Sequence, residues 1–203
     1  MAANALLDLK LTDLELLPFV LASEKSATGA YHADNAAPCL LGGLTLIRSV
    51  EDRDIVRIPT PQRLACAVVH PHMQIRTMDA RKVLPQSVPL SAATKQMGHI
   101  AGFVLGMSSG DMELVRRSMQ DELAEPFRAQ LIPGFAEARQ TALEAGALGC
   151  GISGSGPSLF ALCESMEIAK RVGQRVKTVF HTLGLSSDVF TSRISERGSR
   201  VLE

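Results

Sequence analysis

The chain has 203 residues, 46% of them apolar, and its 21 lysines and arginines balance 21 aspartates and glutamates. This length supports a core of one domain or one and a half. A formal charge of zero argues against general nucleic-acid binding and polybasic membrane anchoring. Aromatic residues make up 4% of the chain, which leaves few stacking platforms for single strands. Cys39, Cys66, Cys150 and Cys163 are scattered without a C-x-x-C pair. Neither a zinc knuckle nor a disulfide framework is indicated, and free thiols packed as small apolar groups in a reducing compartment are expected. No apolar run has the length of a membrane span, and no signal-peptide pattern opens the chain. A cytoplasmic protein is the expectation.

Taken in order, Met1 to Leu7 is unusually apolar and reads as the end of a helix already under way. Thr12 and Glu15 form a capping box ahead of Leu16, Leu17, Val20 and Leu21, which predicts a helix to about Glu24. Pro18 is expected to kink or shorten it. After a polar loop, 26–35, Asp34 or Asn35 is expected to cap a short helix through Leu40. Gly42-Gly43 ends it, and strands follow at 44–50, 55–58 and 64–69. Thr77 starts a short helix that Pro85 stops. Ser91 to Met107 is a longer helix with Met97, Ile100, Val104 and Leu105 at helical spacing, and methionines at such positions are read as packing. Asp111 caps a helix from Met112 to about Leu123. Glu125-Pro126 breaks the pattern, and Phe135 to Ala145 is helical again. Leu159 to Cys163 is a strand, Ser165 caps a helix through Phe180, 188–194 is a strand, and 198–202 is expected to add a last short one. The order beyond residue 60 implies an α+β fold: a two-layer sandwich of a mixed or antiparallel sheet with helices on one face.

The stretch Gly149 to Cys163 stands out: Gly-Cys-Gly-Ile-Ser-Gly-Ser-Gly-Pro-Ser, then an apolar run. Glycines 149, 151 and 154 match G-x-G-x-x-G, but a helix precedes the motif and a strand follows. That order is the reverse of a dinucleotide-binding unit. Neither a nucleophile elbow nor a P-loop is present. The residues suit a glycine-serine loop at a sheet edge, where amides can meet an anion. A tight helix-to-strand connection with no ligand fits them too.

Three polar clusters lie in apolar surroundings. Glu24 with His32, Asp34 and Asn35 supplies hard oxygen donors suited to a hydrated magnesium ion held with substrate phosphates; the same residues also serve as a helix end and caps. Thr77 and Arg81, four apart, share one face of a helical turn, and an arginine fork with a hydroxyl suits a carboxylate or phosphate. Arg128 sits between Pro126 and Pro133, which hold its backbone; a surface ion pair with Glu125 is the alternative.

His-Ala-Asp-Asn at 32–35, Thr77-x-x-x-Arg81, Glu125-Pro-x-Arg128, Leu131-Ile-Pro-Gly134 and Gly151-Ile-Ser-Gly-Ser-Gly-Pro157, taken together and in this order, resemble the homoserine kinase branch of the GHMP kinase superfamily. The resemblance spans nearly the whole chain. It implies a ferredoxin-like C-terminal GHMP kinase domain at 63–203 and the remainder of an N-terminal GHMP domain at 1–62. It further implies phosphorylation of the L-homoserine hydroxyl with ATP and Mg2+. By position, Glu24 is then the magnesium ligand. His32, Asp34 and Asn35 lie by the transferred phosphoryl group and the substrate. Thr77, Arg81 and Arg128 bind substrate, with the arginines facing its carboxylate. Gly151, Ser153, Gly154, Ser155 and Gly156 pack near the phosphates. No convincing general base stands out.

The family's upstream Pro-x-x-x-Gly-Leu-Gly-Ser-Ser nucleotide loop has no counterpart in this sequence, so the resemblance is to the carboxy-terminal two-thirds of such an enzyme. No turnover by this chain alone is expected. The ligands implied are L-homoserine and ATP, with no nucleic acid or membrane, and a homodimer is compatible with the family. Two other readings stay open: a non-catalytic remnant that keeps a binding surface, and another GHMP small-molecule kinase. The carboxylate-suited Thr77, Arg81 and Arg128 weigh against the second.

Overall fold

The computed structural model describes residues 1–29 and 31–201. The chain divides into two compact units. Met1–Thr60 and the stretch from Ile194 onward form the first, and Pro61–Arg193 forms the second.

In the first unit, α1 (Ala2–Leu6) precedes α2 (Asp13–Thr28) and α3 (Ala33–Leu41). The Thr12–Glu15 capping box forms in full: Glu15 N–H donates to Thr12 Oγ1 and Thr12 N–H to Glu15 Oε2. Pro18 lies inside α2 without ending it, so the helix runs to Thr28 rather than Glu24. His32, not Asp34 or Asn35, occupies the N-cap position of α3, and Asp34 falls in its first turn. There a carboxylate still favours the helix dipole. Leu16, Leu17 and Leu21 of α2 pack with Ala33, Ala36, Ala37 and Leu40 of α3 as this unit's core. Gly42, with φ 73°, turns the chain out of α3 into an antiparallel ribbon of β1 (Leu44–Ser49) and β2 (Asp54–Ile58). The tail returns to this unit. Gly43 N–H donates to the Ser195 carbonyl, Ser199 N–H to that of Cys39, and Arg57 Nη2 to that of Glu196. No strand forms over 198–201; Leu202, the end of the strand expected there, lies outside the described residues.

The second unit is built on a four-stranded sheet ordered β4-β5-β3-β6, with β3 (Ala65–Pro71), β4 (Gly149–Ile152), β5 (Leu159–Cys163) and β6 (Ser187–Arg193). Every neighbouring pair is antiparallel. Five helices separate β3 from β4: α4 (Thr77–Lys82), α5 (Leu90–Ser109), α6 (Met112–Ser118), α7 (Glu125–Arg128) and α8 (Phe135–Glu144), and α9 (Met166–Thr182) separates β5 from β6. The order strand, helices, two strands, helix, strand is the ferredoxin-like arrangement.

Burial alternates along β3: Ala65, Ala67 and Val69 are covered while Cys66, Val68 and His70 are half-covered. The covered face meets Ala138 and Ala142 of α8 and Val172, Val176 and Phe180 of α9 in one core. Small strand residues let α9 approach closely; a methyl group added at Gly173 would stand 2.5 Å from Val189 Cγ1.

Three expectations are corrected here. Met97, Ile100 and Leu105 of α5 are exposed, as is Met78, and do not pack into the core. α6 stops at Ser118, well short of Leu123. Gly149–Ile152 is a strand and not part of the loop, so the glycine-serine segment joins two strands and not a helix to a strand.

Candidate active site

The residues singled out from the sequence fall in both units, and each group is described within its own. In the first unit, Glu24 near the end of α2 and His32 at the mouth of α3 meet, with His32 Nδ1 3.0 Å from Glu24 Oε1. Both side chains are largely shielded, at 32% and 22% exposure. Asp34 and Asn35 lie exposed on the first turn of α3, where the amides of Asn35 and Ala36 close onto the His32 carbonyl. Among the described residues no group of three or more His, Cys, Asp or Glu side chains is arranged to hold a metal ion. A lone carboxylate suits magnesium only with phosphate oxygens completing the shell.

In the second unit, residues 153–158 form the connection of the β4–β5 hairpin. Ser153 N–H donates to the Ser158 carbonyl at 2.8 Å and Gly156 N–H to the Ser153 carbonyl at 3.0 Å. Two loop amides are therefore used to close the hairpin. The Gly154 and Ser155 amides at the tip, with the exposed Ser153 hydroxyl, are the donors suited to an incoming anion. Gly154 and Gly156 have φ of 60° and 82°, a region that costs a side-chain-bearing residue energy.

Arg128 ties this loop to α4. Its Nε donates to the Ala80 carbonyl at 3.2 Å and its Nη1 to the Gly154 carbonyl at 3.1 Å. Ala80 precedes Arg81, and Thr77 opens the same helix. The structure thus brings the Thr77/Arg81 helix, Arg128 and the glycine loop together. Thr77 and Arg81 are exposed on α4, and Arg128 is half-buried. A guanidinium carries five N–H donors, so two backbone contacts leave capacity for a carboxylate or phosphate.

Arg128 does not pair with Glu125, as the alternative reading had it. Glu125 pairs instead with Arg139 of α8, Oε1 to Nε at 3.2 Å, with only 17% and 24% of the two side chains exposed. Burial pushes the Glu125 carboxyl above the ordinary carboxylate range, and Arg139 only partly offsets this. Asp121 accepts from the amides of Leu123, Ala124 and Glu125 and anchors the start of α7. His70 Nδ1 lies 2.8 Å from Ser158 Oγ at the foot of the loop. Sequence reasoning missed all of these. Glu125 and Arg139 stand on different elements, and no spacing rule links them. Asp121 ahead of Leu123 and Ala124 was readable as an aspartate that turns the chain by accepting from the amides that follow it.

The family described as GHMP kinases C terminal matches residues 103–182. The solved structure of homoserine kinase from Cytophaga hutchinsonii superposes with a TM-score of 0.94 at 46% identity, covering 97% of this chain and 62% of that one. Residues 103–182 thus carry a GHMP kinase C-terminal domain. Among similar proteins, the homoserine kinase of Chlorobium phaeobacteroides (strain BS1) is 46% identical over 203 residues, 99% of this chain and 63% of its own. That of Pyrococcus abyssi is 37% identical over 180 residues, 89% of this chain and 59% of its own. This chain thus spans somewhat under two-thirds of the length of these relatives. The solved structure of L. major mevalonate kinase, 20% identical with a TM-score of 0.77 over 95% of this chain and 62% of that one, shares the fold.

Proposed function

We propose that this chain serves ATP-dependent transfer of a phosphoryl group to the side-chain hydroxyl of L-homoserine. The observation that carries the reading is Arg128, which bridges the glycine loop and the Thr77/Arg81 helix in a chain 46% identical to homoserine kinases over nearly its whole length.

In the second unit, Arg128 and Arg81 face the substrate carboxylate, and the Thr77 hydroxyl contributes a hydrogen bond. A planar fork suits a carboxylate better than a neutral hydroxyl, which favours an amino-acid acceptor over an uncharged alcohol. The Gly151–Gly156 segment, with Gly154 and Ser155 amides at its tip, lies by the phosphates of ATP. In the first unit, Glu24, positioned by His32, would hold Mg2+, with Asp34 and Asn35 toward the reacting end of the ligands. The chemistry such an ion would supply is to offset charge on the phosphates. Phosphoryl transfer through a loose transition state asks little covalent chemistry of the protein, so orientation by these side chains accounts for the catalytic contribution. The same reading places residues 1–62 in an N-terminal GHMP domain and 63–203 in the C-terminal one, in a cytoplasmic enzyme compatible with a homodimer.

The test is a chimera in which this chain replaces its aligned segment in the Cytophaga hutchinsonii homoserine kinase. Homoserine-dependent ADP release is the expected outcome. Arg128→Met is expected to raise KM for homoserine by about tenfold or more, since it removes a charge-assisted contact. A chimera that turns over mevalonate and not homoserine would overturn the reading.

A further inference from the structure

The proposed substrate contacts rest on Arg128, yet Arg128 sits on a helix of only four residues, α7, Glu125–Arg128. A single turn has little stability of its own, so its position is set by what grips it. Asp121 holds the amides at its start. Arg139 grips its first side chain. One guanidinium reaches three partners: the Glu125 carboxylate and the Cys150 carbonyl, each 3.2 Å from Nε, and Gln120 Oε1, 3.0 Å from Nη2. Cys150 is the middle of β4, the strand that leads into the glycine loop. Gly151 leaves room for this arrangement, because a methyl group there would stand 3.1 Å from Glu125 Oε2.

We propose that Arg139 is a positioning residue that sets α7, and through it Arg128, against the glycine loop. The ring of contacts is closed. Arg139 joins β4 to the start of α7, and Arg128 joins the end of α7 to the Gly154 carbonyl at the loop tip. Two guanidiniums thus hold one short helix across one hairpin, Arg139 at the strand and Arg128 at the turn. Burial raises the affinity of the Glu125 carboxyl for a proton, so loss of Arg139 leaves a shielded acid without its counter-charge. That loss is expected to release α7 rather than leave it in place. The part of this inference that concerns the substrate rests on the function proposed above; the mechanical part does not.

Two experiments separate these parts. Hydrogen exchange on this chain compares wild type with Arg139→Met and with Arg139→Lys, which keeps the charge but not the fork. Arg139→Met is expected to speed exchange about tenfold in 125–131 and 153–156 while β3 and α9 stay within about twofold, with Arg139→Lys between. Uniform acceleration across the second unit, or none, would overturn the proposal; if the Met variant does not fold, the Lys variant is judged by the same local-against-uniform criterion. In the chimera, Arg139→Met is expected to raise KM for homoserine about tenfold with kcat within about threefold, and to add less than about twofold in an Arg128→Met background. Additive effects would show that Arg139 does not act through Arg128. A wild-type chimera with no homoserine-dependent turnover defeats the functional reading and leaves the exchange result to decide the mechanical one.

Discussion

Burial sorts the four thiols. Cys150 and Cys163 lie in the core of the second unit, and burial pushes both thiols up to about 12. Cys66 is also raised by burial, while Cys39 is exposed. Because the thiolate is the reacting species, a maleimide or disulfide reagent at pH 8 is expected to label Cys39 first and to reach Cys150 and Cys163 only on unfolding; mass spectrometry of the labelled peptides reads the order. At Glu125 the sign of a pH effect follows from burial. Its carboxyl binds a proton more tightly folded than unfolded, so its contribution to stability falls as pH rises from the ordinary carboxylate value through the raised one. Denaturant titrations of wild type and Glu125→Gln between about pH 4 and 8 are expected to show the difference shifting toward the Gln variant as pH rises. The opposite slope would mean that Arg139 outweighs desolvation.

Among the elements, local signals were the readable ones. The Thr12 capping box, the Asp111 cap and the Ser165 cap all formed, because each depends on groups within one turn of each other. Thr12→Ala is expected to cost about 1 kcal/mol of stability, as cap losses do, measurable by denaturant titration. β4 was illegible because its glycines answer to neighbours remote in sequence. A methyl group at Gly149 would stand 2.5 Å from Met119, so a strand that looks like a loop is small by close approach and not by turn demand. The α5–α6 contact shows the same cause. At Gly106 a methyl group would lie 2.9 Å from the Val115 amide nitrogen and the Asp111 carbonyl, and Gly106→Ala is expected to destabilise by about 1–3 kcal/mol as overpacking. Of the candidate site, the types and order of residues were legible as a resemblance. The Arg128 bridge and the Arg139 grip were not: the first ends on backbone carbonyls, and the second joins Glu125, Gln120 and Cys150 at separations that no helix or strand period links.

At the scale of the molecule, apolar side chains crowd the surface. Met97, Ile100 and Leu105 of α5 are 61%, 49% and 60% exposed, positions that helical spacing alone assigns to a core. Contiguous apolar surface promotes association, so light scattering of this chain is expected to rise with concentration, and Met97→Lys with Leu105→Lys to reduce that rise. A sharp monomeric melt at high concentration would contradict this.

The return of the tail has a consequence for synthesis. The contacts from Ser195 and Ser199 to Gly43 and Cys39 join segments separated by the whole of the second unit. On a ribosome these contacts must therefore wait for the tail, while Pro61–Arg193 can already close as it leaves the exit tunnel. Gly198 lies where any side chain would overlap the Leu40 carbonyl, so even the smallest replacement there would keep this late clasp from fastening.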